Sequence, residues 1–377
     1  MIVRHSKFAS NPFGDGGSKR SAQIEELLKS GSLKYENNDF LLPKGLSKFQ
    51  LFRLSIRAIR FIRKNIGWKS YPSLKSRIGA IKHFALRIPV IIDKYNGKNA
   101  CFVWESTVSG NYSYPYLMKA AGAKVIAVPH NLESVVPTQK DSQTGAVAPK
   151  WFYNEVERLK KCDAVFAISK EETWILRLFG VNAYYLPYYP PQEAFDYLLQ
   201  IREKRAARED NDEKKFLLLG SATNVPTQNG MQSMIDAVSS DKRQFSVAVA
   251  GYGTDSLRIA DNSDVKFLGA LSSEQLETAL VETDAVLIYQ PPTSGALTRI
   301  SEMLVAGVPV FVNFNAARDY HNVEDVNVYE SFDDLFEKLK SFEPHQAKMP
   351  MRQVKCEEFF VDTVKDFCAT NGRFVDL

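Results

Sequence analysis

Short apolar runs closed by turn residues alternate with helical patterns along almost the whole chain, and this alternation limits the fold more than any single motif does. MIV precedes a helical pattern over 18–30, ACFVW one over 114–121 and KVIAV one over 149–161, and DAVFAI closes the first series. A second series runs FLLLG, a helix over 230–239, FSVAVAG, VKFLG, a helix over 273–282, DAVLIYQ, a helix within TSGALTRISEMLVAGVPV and the strand VPVFVNF. Strands alternating with helices predict parallel sheets wrapped on both faces, so the chain reads as two doubly wound, Rossmann-like α/β domains. Between the series lies a charged stretch, IREKRAAREDNDEKK, that reads as linker. The expected division is a first domain over 1–188, a linker over 189–214 and a second domain over 215–351.

The length of 377 residues, with 45% hydrophobic and 24% charged content, supports two cores rather than one. The opening MIVRHSKFASNPFGDGG lacks the apolar stretch of a secretory signal, and no apolar run approaches the ~20 residues of a membrane span. A cytoplasmic protein is expected. The four cysteines form no C-x-x-C pair and the five histidines show no metal-ligand spacing with them, which argues for reduced thiols and against structural zinc. Charge is divided unevenly: residues 1–190 carry 29 Lys+Arg against 14 Asp+Glu, and the remainder 19 against 30. Either the first half meets an anionic partner or the halves attract one another.

Open α/β sheets bind ligands at the carboxyl ends of their strands, so the candidate site residues are those that follow strands. NPFGDGGSKR follows the first strand; Gly14, Gly16 and Gly17 allow a ligand to approach the backbone, and Ser18 suits a helix cap. It is not a P-loop, and a plain flexible turn fits as well. VPHNLES follows KVIAV and offers His130, Asn131 and Glu133, with Glu105 after another strand; a structural histidine explains His130 equally well. GSATNVPTQNG places Gly220 and Ser221 in a tight turn. In TSGALTRISEMLVAGVPV, Ser294 and Gly295 stand where a helix is expected to begin, so free amides and the positive dipole end are available to a diphosphate. Arg299 and Glu302 share a face of that helix away from Leu297, Ile300 and Leu304. Phosphate and ribose recognition, or an ion pair on the wet side worth about 0.2–0.5 kcal/mol, account for the spacing equally.

In KFQLFRLSIRAIRFIRKNIGWKS, residues 48–70, Arg53, Arg57, Arg60 and Lys64 recur at helical spacing, while Phe52, Ile56, Ile59 and Ile66 form an apolar face with Trp68 and Tyr71 beyond. A basic amphipathic helix over 48–64 suits an anionic membrane surface, and a solvated basic face suits the same spacing. No nucleic-acid-binding module accompanies the charge.

Taken together, the strand order and the wording of TSGALTRISEMLVAGVPV, RLKKCDAVFAISKEETWILRLFGVNAYYLPY and VKFLGALSSEQLETALVETDAVLIYQ resemble GT-B glycosyltransferases of the family-4 (group 1) type, from about residue 100 to 314. The resemblance implies two Rossmann-like domains facing a cleft, the first on the acceptor side, with a C-terminal helix at about 352–377 packing back on it and the second binding a nucleotide sugar. It implies that Glu302 holds the donor ribose, that amides of Gly295 and Ala296 with Arg299 hold the diphosphate, and that Gly220 and Ser221 line the same pocket. The nucleobase would lie near Phe267, Leu268 and Gly269, His130 would face the donor sugar, and Gly16 and Gly17 would form the loop over the phosphates and acceptor. It further implies a retaining transfer to a hydroxyl acceptor without metal or cofactor, and the basic helix over 48–64 points to a glycan or lipid-linked acceptor at the inner face of the cell membrane. Two positions depart from the family: Ser294 stands where a glutamate commonly touches the transferred sugar, and GSATNVPTQNG lacks the usual arginine and lysine. A non-catalytic nucleotide-sugar-binding or partner subunit is the alternative that Ser294 motivates.

Overall fold

The computed structural model describes the chain except residues 72, 106, 109–110, 138–146, 148, 210–212, 242–244, 259–264 and 370–377. The described residues fall into two compact units: Met1–Ser10, Ile24–Pro187 and Gln353–Leu377 form one, and Asn11–Gln23 with Tyr188–Arg352 form the other. The division passes through the first helix, and the glycine-rich loop at 11–17 belongs to the second unit.

In the first unit the order is β1 (Ile2–His5), α1 (Gly16–Ser30), β2 (Tyr35–Asn37), α2 (Lys48–Asn65), α3 (Leu74–Ile88), β3 (Cys101–Trp104), α4 (Tyr114–Ala120), β4 (Lys124–Ala127), α5 (Lys150–Leu159), β5 (Ala164–Ala167), α6 (Lys170–Leu178) and β6 (Ala183–Tyr185). All strands pair in parallel in the order β2-β1-β3-β4-β5-β6. Strands such as Cys101–Trp104 and Ala164–Ala167 are buried at every position, as a sheet covered on both faces requires. A capping box joining Ser47 and Gln50 starts α2. The face of α2 that packs is Ala58 and Ile62 with Leu54, Phe61 and Ile66, whereas Phe52 and Ile59, expected on the apolar face, stay exposed.

The second unit runs α7 (Gln192–Ala206), β7 (Lys215–Leu219), α8 (Val225–Ser240), β8 (Ser246–Ala250), β9 (Val265–Gly269), α9 (Ser273–Glu282), β10 (Ala285–Ile288), α10 (Thr298–Val305), β11 (Val310–Asn313), α11 (Phe314–Ala317), β12 (Val326–Tyr329) and α12 (Phe332–Ser341). Its strands are parallel in the order β12-β11-β10-β7-β8-β9, the arrangement of a dinucleotide-binding fold. α8 begins earlier than the expected 230, because Pro226 suits a first helical turn, where its missing N–H has no intrahelical partner to lose. α13 (Val354–Ala369) returns to the first unit, packing Phe360, Val361 and Val364 with Ile24, Cys101 and Phe166.

Within 189–214, expected as linker, residues 192–206 form α7, and its arginines have a structural task. Arg202 donates to the carbonyls of Leu304, Val305 and Ala347, and Arg205 to those of Leu280, Val281, Thr283 and Gly307. Arg208 adds bonds to Val281, Glu282 and Thr283 and an ion pair with Asp284. Helices α9 and α10 end at these carbonyls, which have no intrahelical partner and sit at the negative end of each dipole. Burial, then the charge of Arg208, lowers Arg205 to about 10, so it remains a cation. Replacing Arg205 by Met strands these carbonyls; each lost charge-assisted bond is worth roughly 1.5–3 kcal/mol. Amide exchange in α9 and α10 is therefore expected to accelerate on the order of a hundredfold, and unchanged protection would refute the capping role.

Candidate functional site

In the second unit the strand order reverses between β7 and β10, the position where such sheets bind ligands. Two loops meet there. Gly220 follows β7 with no room for a side chain, since an added Cβ would stand 2.5 Å from Arg299 Nη1. Ser221 beside it bonds through Oγ to Thr223 Oγ1 at 2.7 Å. After β10, Gly295 takes φ +83, a left-handed conformation that only glycine adopts cheaply.

Arg318, from the end of α11, holds this second turn. Its guanidinium donates to the carbonyls of Thr293 and Ser294 and, at 2.8 and 3.1 Å, to that of Gly295. A trans peptide points its N–H opposite to its C=O, so the amides of Ser294 and Ala296 are turned away from Arg318. The Ala296 amide makes no hydrogen bond among the described residues. α10 starts at Thr298, later than the expected start at Ser294 and Gly295, with Leu297 as its N-cap and no side-chain cap. The Ala296 amide thus stands just before a positive dipole end, an arrangement suited to an anion.

Glu302 lies on α10 and is 5% exposed. Its Oε2 accepts from Lys19 Nζ at 2.6 Å, and its Oε1 from the Tyr188 hydroxyl at 2.9 Å. Burial, followed by the Glu302 charge, pushes the Tyr188 hydroxyl well up, so it stays a donor. The ion pair of Glu302 is thus with Lys19 and not with Arg299. Arg299 points elsewhere: Nη1 donates to the Leu219 carbonyl at 2.9 Å, Nη2 reaches Gln290 Oε1 at 3.5 Å, and Nε has no partner among the described residues. Burial lowers it to about 10.

Lys19 stands in the first turn of α1, whose start at Gly16 precedes the expected cap; Asp15 Oδ1, not Ser18, receives the Ser18 amide at 2.8 Å. Gly16 faces Thr298, where an added Cβ would be at an ordinary 3.7 Å from Oγ1, and Gly17 follows it in α1. Phe267, Leu268 and Gly269 end β9, the last strand of the sheet order, with the Gly269 carbonyl accepting from the Gly251 amide. Of the expected residues, the structure brings Gly16, Gly220, Arg299, Glu302 and the turn at 294–296 to neighbouring loops. Lys19, Tyr188 and Arg318 join them and were not singled out. The loop NPFGDGGS draws attention to its glycines, and the lysine beside them has its partner 283 residues away.

In the first unit, His130 follows β4 and stacks on Phe8, ring centroids 4.9 Å apart. Asn131 is its neighbour, and its Oδ1 is buried without a partner among the described residues. Glu105, expected to meet substrate, is 1% exposed and is engaged by Arg4 through both oxygens, so its carboxylate serves a buried ion pair. The loop after His130 is held from below: Glu172 accepts from the Leu132 amide, and Glu155 accepts from the amides of Glu133 and Ser134 and from the Ser134 hydroxyl.

No protein-family model and no curated protein matches the sequence. Solved structures match its fold. HepE of Anabaena, in complex with UDP and glucose, is 10% identical at a TM-score of 0.58, covering 97% of this chain and 100% of HepE. α,α-Trehalose 6-phosphate synthase from Burkholderia multivorans is 9% identical at 0.59, covering 99% of each chain. Sucrose-phosphate synthase from Thermosynechococcus elongatus is 13% identical at 0.52, covering 97% of this chain and 96% of that one. The chain spans 55% of the length of TarM, at a TM-score of 0.47. The full-length likenesses show that the fold is of the GT-B kind, two Rossmann-like α/β units in one chain.

The His130 loop depends on a titratable support. Burial lifts the Glu155 carboxyl from 4.5 to about 7, with the bonds from Ser134 working against that rise. The folded chain therefore holds a proton at Glu155 that the unfolded chain has released, and stability falls as pH rises from 4.5 through 7. Relative to Glu155→Gln, the wild type is expected to lose up to about 3 kcal/mol across that window. Urea denaturation at a series of pH values measures this; a constant difference would reject the buried-carboxyl account.

Proposed function

We propose that the chain is a glycosyltransferase that moves a sugar from a nucleoside-diphosphate sugar to a hydroxyl acceptor, with the nucleotide bound at the β7/β10 switch point of the second unit. The observation that carries this reading is the turn at 293–297, whose carbonyls are tied back by Arg318 so that its amides face away, next to a buried carboxylate. The amides, the α10 dipole and Lys19 are suited to a diphosphate, and Glu302 to the paired hydroxyls of a ribose. That HepE has been solved with UDP and glucose supports this choice of ligand.

The chemistry that fits is a retaining, metal-independent transfer. The acceptor oxygen bonds to the anomeric carbon on the face from which the diphosphate departs, the bond from that carbon to the diphosphate oxygen breaks, and the acceptor proton passes to the leaving diphosphate. Backbone amides and Lys19 stabilise the charge that grows on that leaving group. No carboxylate pair is assigned a covalent role. His130 and Asn131 are the acceptor-side candidates. Two observations favour a second reading, a nucleotide-sugar-binding partner subunit without turnover: Ser294 replaces the usual carboxylate, and Arg299 is committed to the Leu219 carbonyl.

A lipid-linked acceptor in polysaccharide or glycoconjugate synthesis is the reading supported by the surface of α2 and α3. Phe49 at 68% exposure, Phe52 at 63%, Leu74 at 75% and Ile78 at 59% stand among Lys48, Arg53, Lys75 and Lys82. Apolar side chains and cations side by side suit the headgroup region of an anionic bilayer. Among the described residues, no helix is long and apolar enough to cross a membrane.

Purified chain mixed with membrane extract and radiolabelled UDP-, GDP- and dTDP-sugars is expected to transfer label from one of them. Glu302→Ala and Lys19→Gln should each weaken calorimetric binding of the matching diphosphate on the order of tenfold, and more than Arg299→Lys does. Binding without transfer or donor hydrolysis selects the partner-subunit reading, and unaltered binding in both variants would sink the donor site. For the surface of α2 and α3, co-sedimentation with phosphatidylglycerol vesicles is expected to fall on Phe49→Ser/Phe52→Ser and in high salt; indifference to both would exclude membrane contact.

A further inference from the structure

Helix α13 carries a stripe of Phe360, Val361, Val364, Phe367 and Cys368 at the spacing of one helical face. That face packs on β3, whose alternate residues Cys101 and Val103 belong to the same cluster, while Phe102 and Trp104 point into the cluster on the other face of the sheet. Lys124, the cross-strand partner of Cys101, has its Nζ 5.5 Å from the centroid of the Phe367 ring. The last turn of α13 therefore lies over the start of β3, and there the thiols of Cys101 and Cys368 bond to one another.

The two sulfurs differ in access and in charge. Cys101 is fully buried, and Cys368 is half-buried one residue before the end of α13. The Cys101 thiol donates to Cys368 and brings it down to about 7, while the same bond and burial hold Cys101 protonated. At neutral pH a large share of Cys368 is thus the reactive thiolate, reachable from solvent, with a second thiol directly behind it. The other cysteines stand apart: Cys162 lies in the cluster on the opposite face, and Cys356 is about 18 Å back along the axis of α13.

This contact joins parts of the first unit that are far apart in sequence. The unit is assembled from Met1–Ser10, Ile24–Pro187 and Gln353–Leu377, and α13 reaches it only after the chain has passed through the second unit. A helix docked in this way through side-chain packing can open locally before the rest of the unit unfolds.

We propose that Cys101 and Cys368 form a reversible redox staple, closed by a peroxide and opened by a dithiol, that fastens α13 to the middle of the first sheet. The Cys368 thiolate attacks one oxygen of hydrogen peroxide, the O–O bond breaks, and the departing hydroxide takes a proton from solvent to become water. The sulfur of Cys101 then attacks that of the Cys368 sulfenic acid. The S–O bond breaks, and the hydroxyl leaves with the Cys101 proton as a second water. Two thiols are oxidised to one disulfide while one peroxide is reduced to two waters. A dithiol reverses the step by exchange at Cys368, the sulfur it can reach, and becomes a disulfide itself. Because Cys368 is in the last turn of α13, that turn can adjust to bring the sulfurs to bonding distance without disturbing the sheet.

Treating the full chain with equimolar hydrogen peroxide at neutral pH tests this. Two of its four free thiols are expected to disappear, non-reducing peptide mapping to join Cys101 to Cys368, and dithiothreitol to restore both. Closure should slow amide exchange in α13 at least about tenfold and raise the Tm by about 5 °C. Cys368→Ser should abolish the cross-link and both shifts, and Cys356→Ser should keep them. Cys368 is half-exposed, so its variant remains informative even if Cys101→Ala fails to fold. Retention of all four thiols, oxidation of Cys368 to sulfinic acid without cross-linking, a cross-link through Cys356, or a cross-link that leaves exchange in α13 unchanged would each overturn the proposal.

Discussion

The second unit depends on arginine side chains that satisfy backbone carbonyls. A parallel sheet wrapped by helices ends each helix against protein rather than water, and the last turn of every helix then presents carbonyls that need donors. Arg202 and Arg205 meet those of α9 and α10, Arg299 meets the last carbonyl of β7, and Arg318 gathers three carbonyls of the turn before α10. A guanidinium suits this task because its planar fork reaches several acceptors at once and keeps its charge when buried. The position of α10, and with it the position of Glu302, follows from these bonds.

This use of arginine changes how charge is distributed at the switch point. The family resemblance assigned Arg299 to phosphate, yet its guanidinium is directed at Leu219 and Gln290. Lys19 is the cation next to Glu302, and it comes from the glycine-rich segment that folds with the second unit. An exposed pair of this kind would contribute little. Here Glu302 is 5% exposed, so removing either partner leaves a charge with much of its hydration lost.

The alternation of strands and helices was legible because it is local: a buried parallel strand writes itself as four or five consecutive apolar residues, and a capping box such as Ser272 with Gln275 marks a helix start. The positions of Gly220 and Gly295 were legible for the same reason. Partnerships were not. IREKRAAR is polar enough to read as linker, and nothing local says that its arginines answer carbonyls 73 to 145 residues ahead. Glu105 looked accessible because it follows a strand, whereas its partner Arg4 lies 101 residues back. Phe52 and Ile59 fitted an apolar stripe by period, but the period does not say which side of an apolar helix meets the core, and Ala58 with Ile62 took that place.

Ser294 is best understood through its neighbours. Its carbonyl and those on either side accept from Arg318, at 3.4 Å for the Ser294 carbonyl and 2.8 Å for that of Gly295. A longer acidic side chain at this position would place a carboxylate beside the backbone donors that the proposed reading gives to a diphosphate, and would compete for them. Serine adds no competing charge and offers a hydroxyl that can donate or accept. Under that reading the substitution shifts discrimination among donor sugars from charge to hydrogen bonding, while the turn itself is made of backbone and held by Arg318.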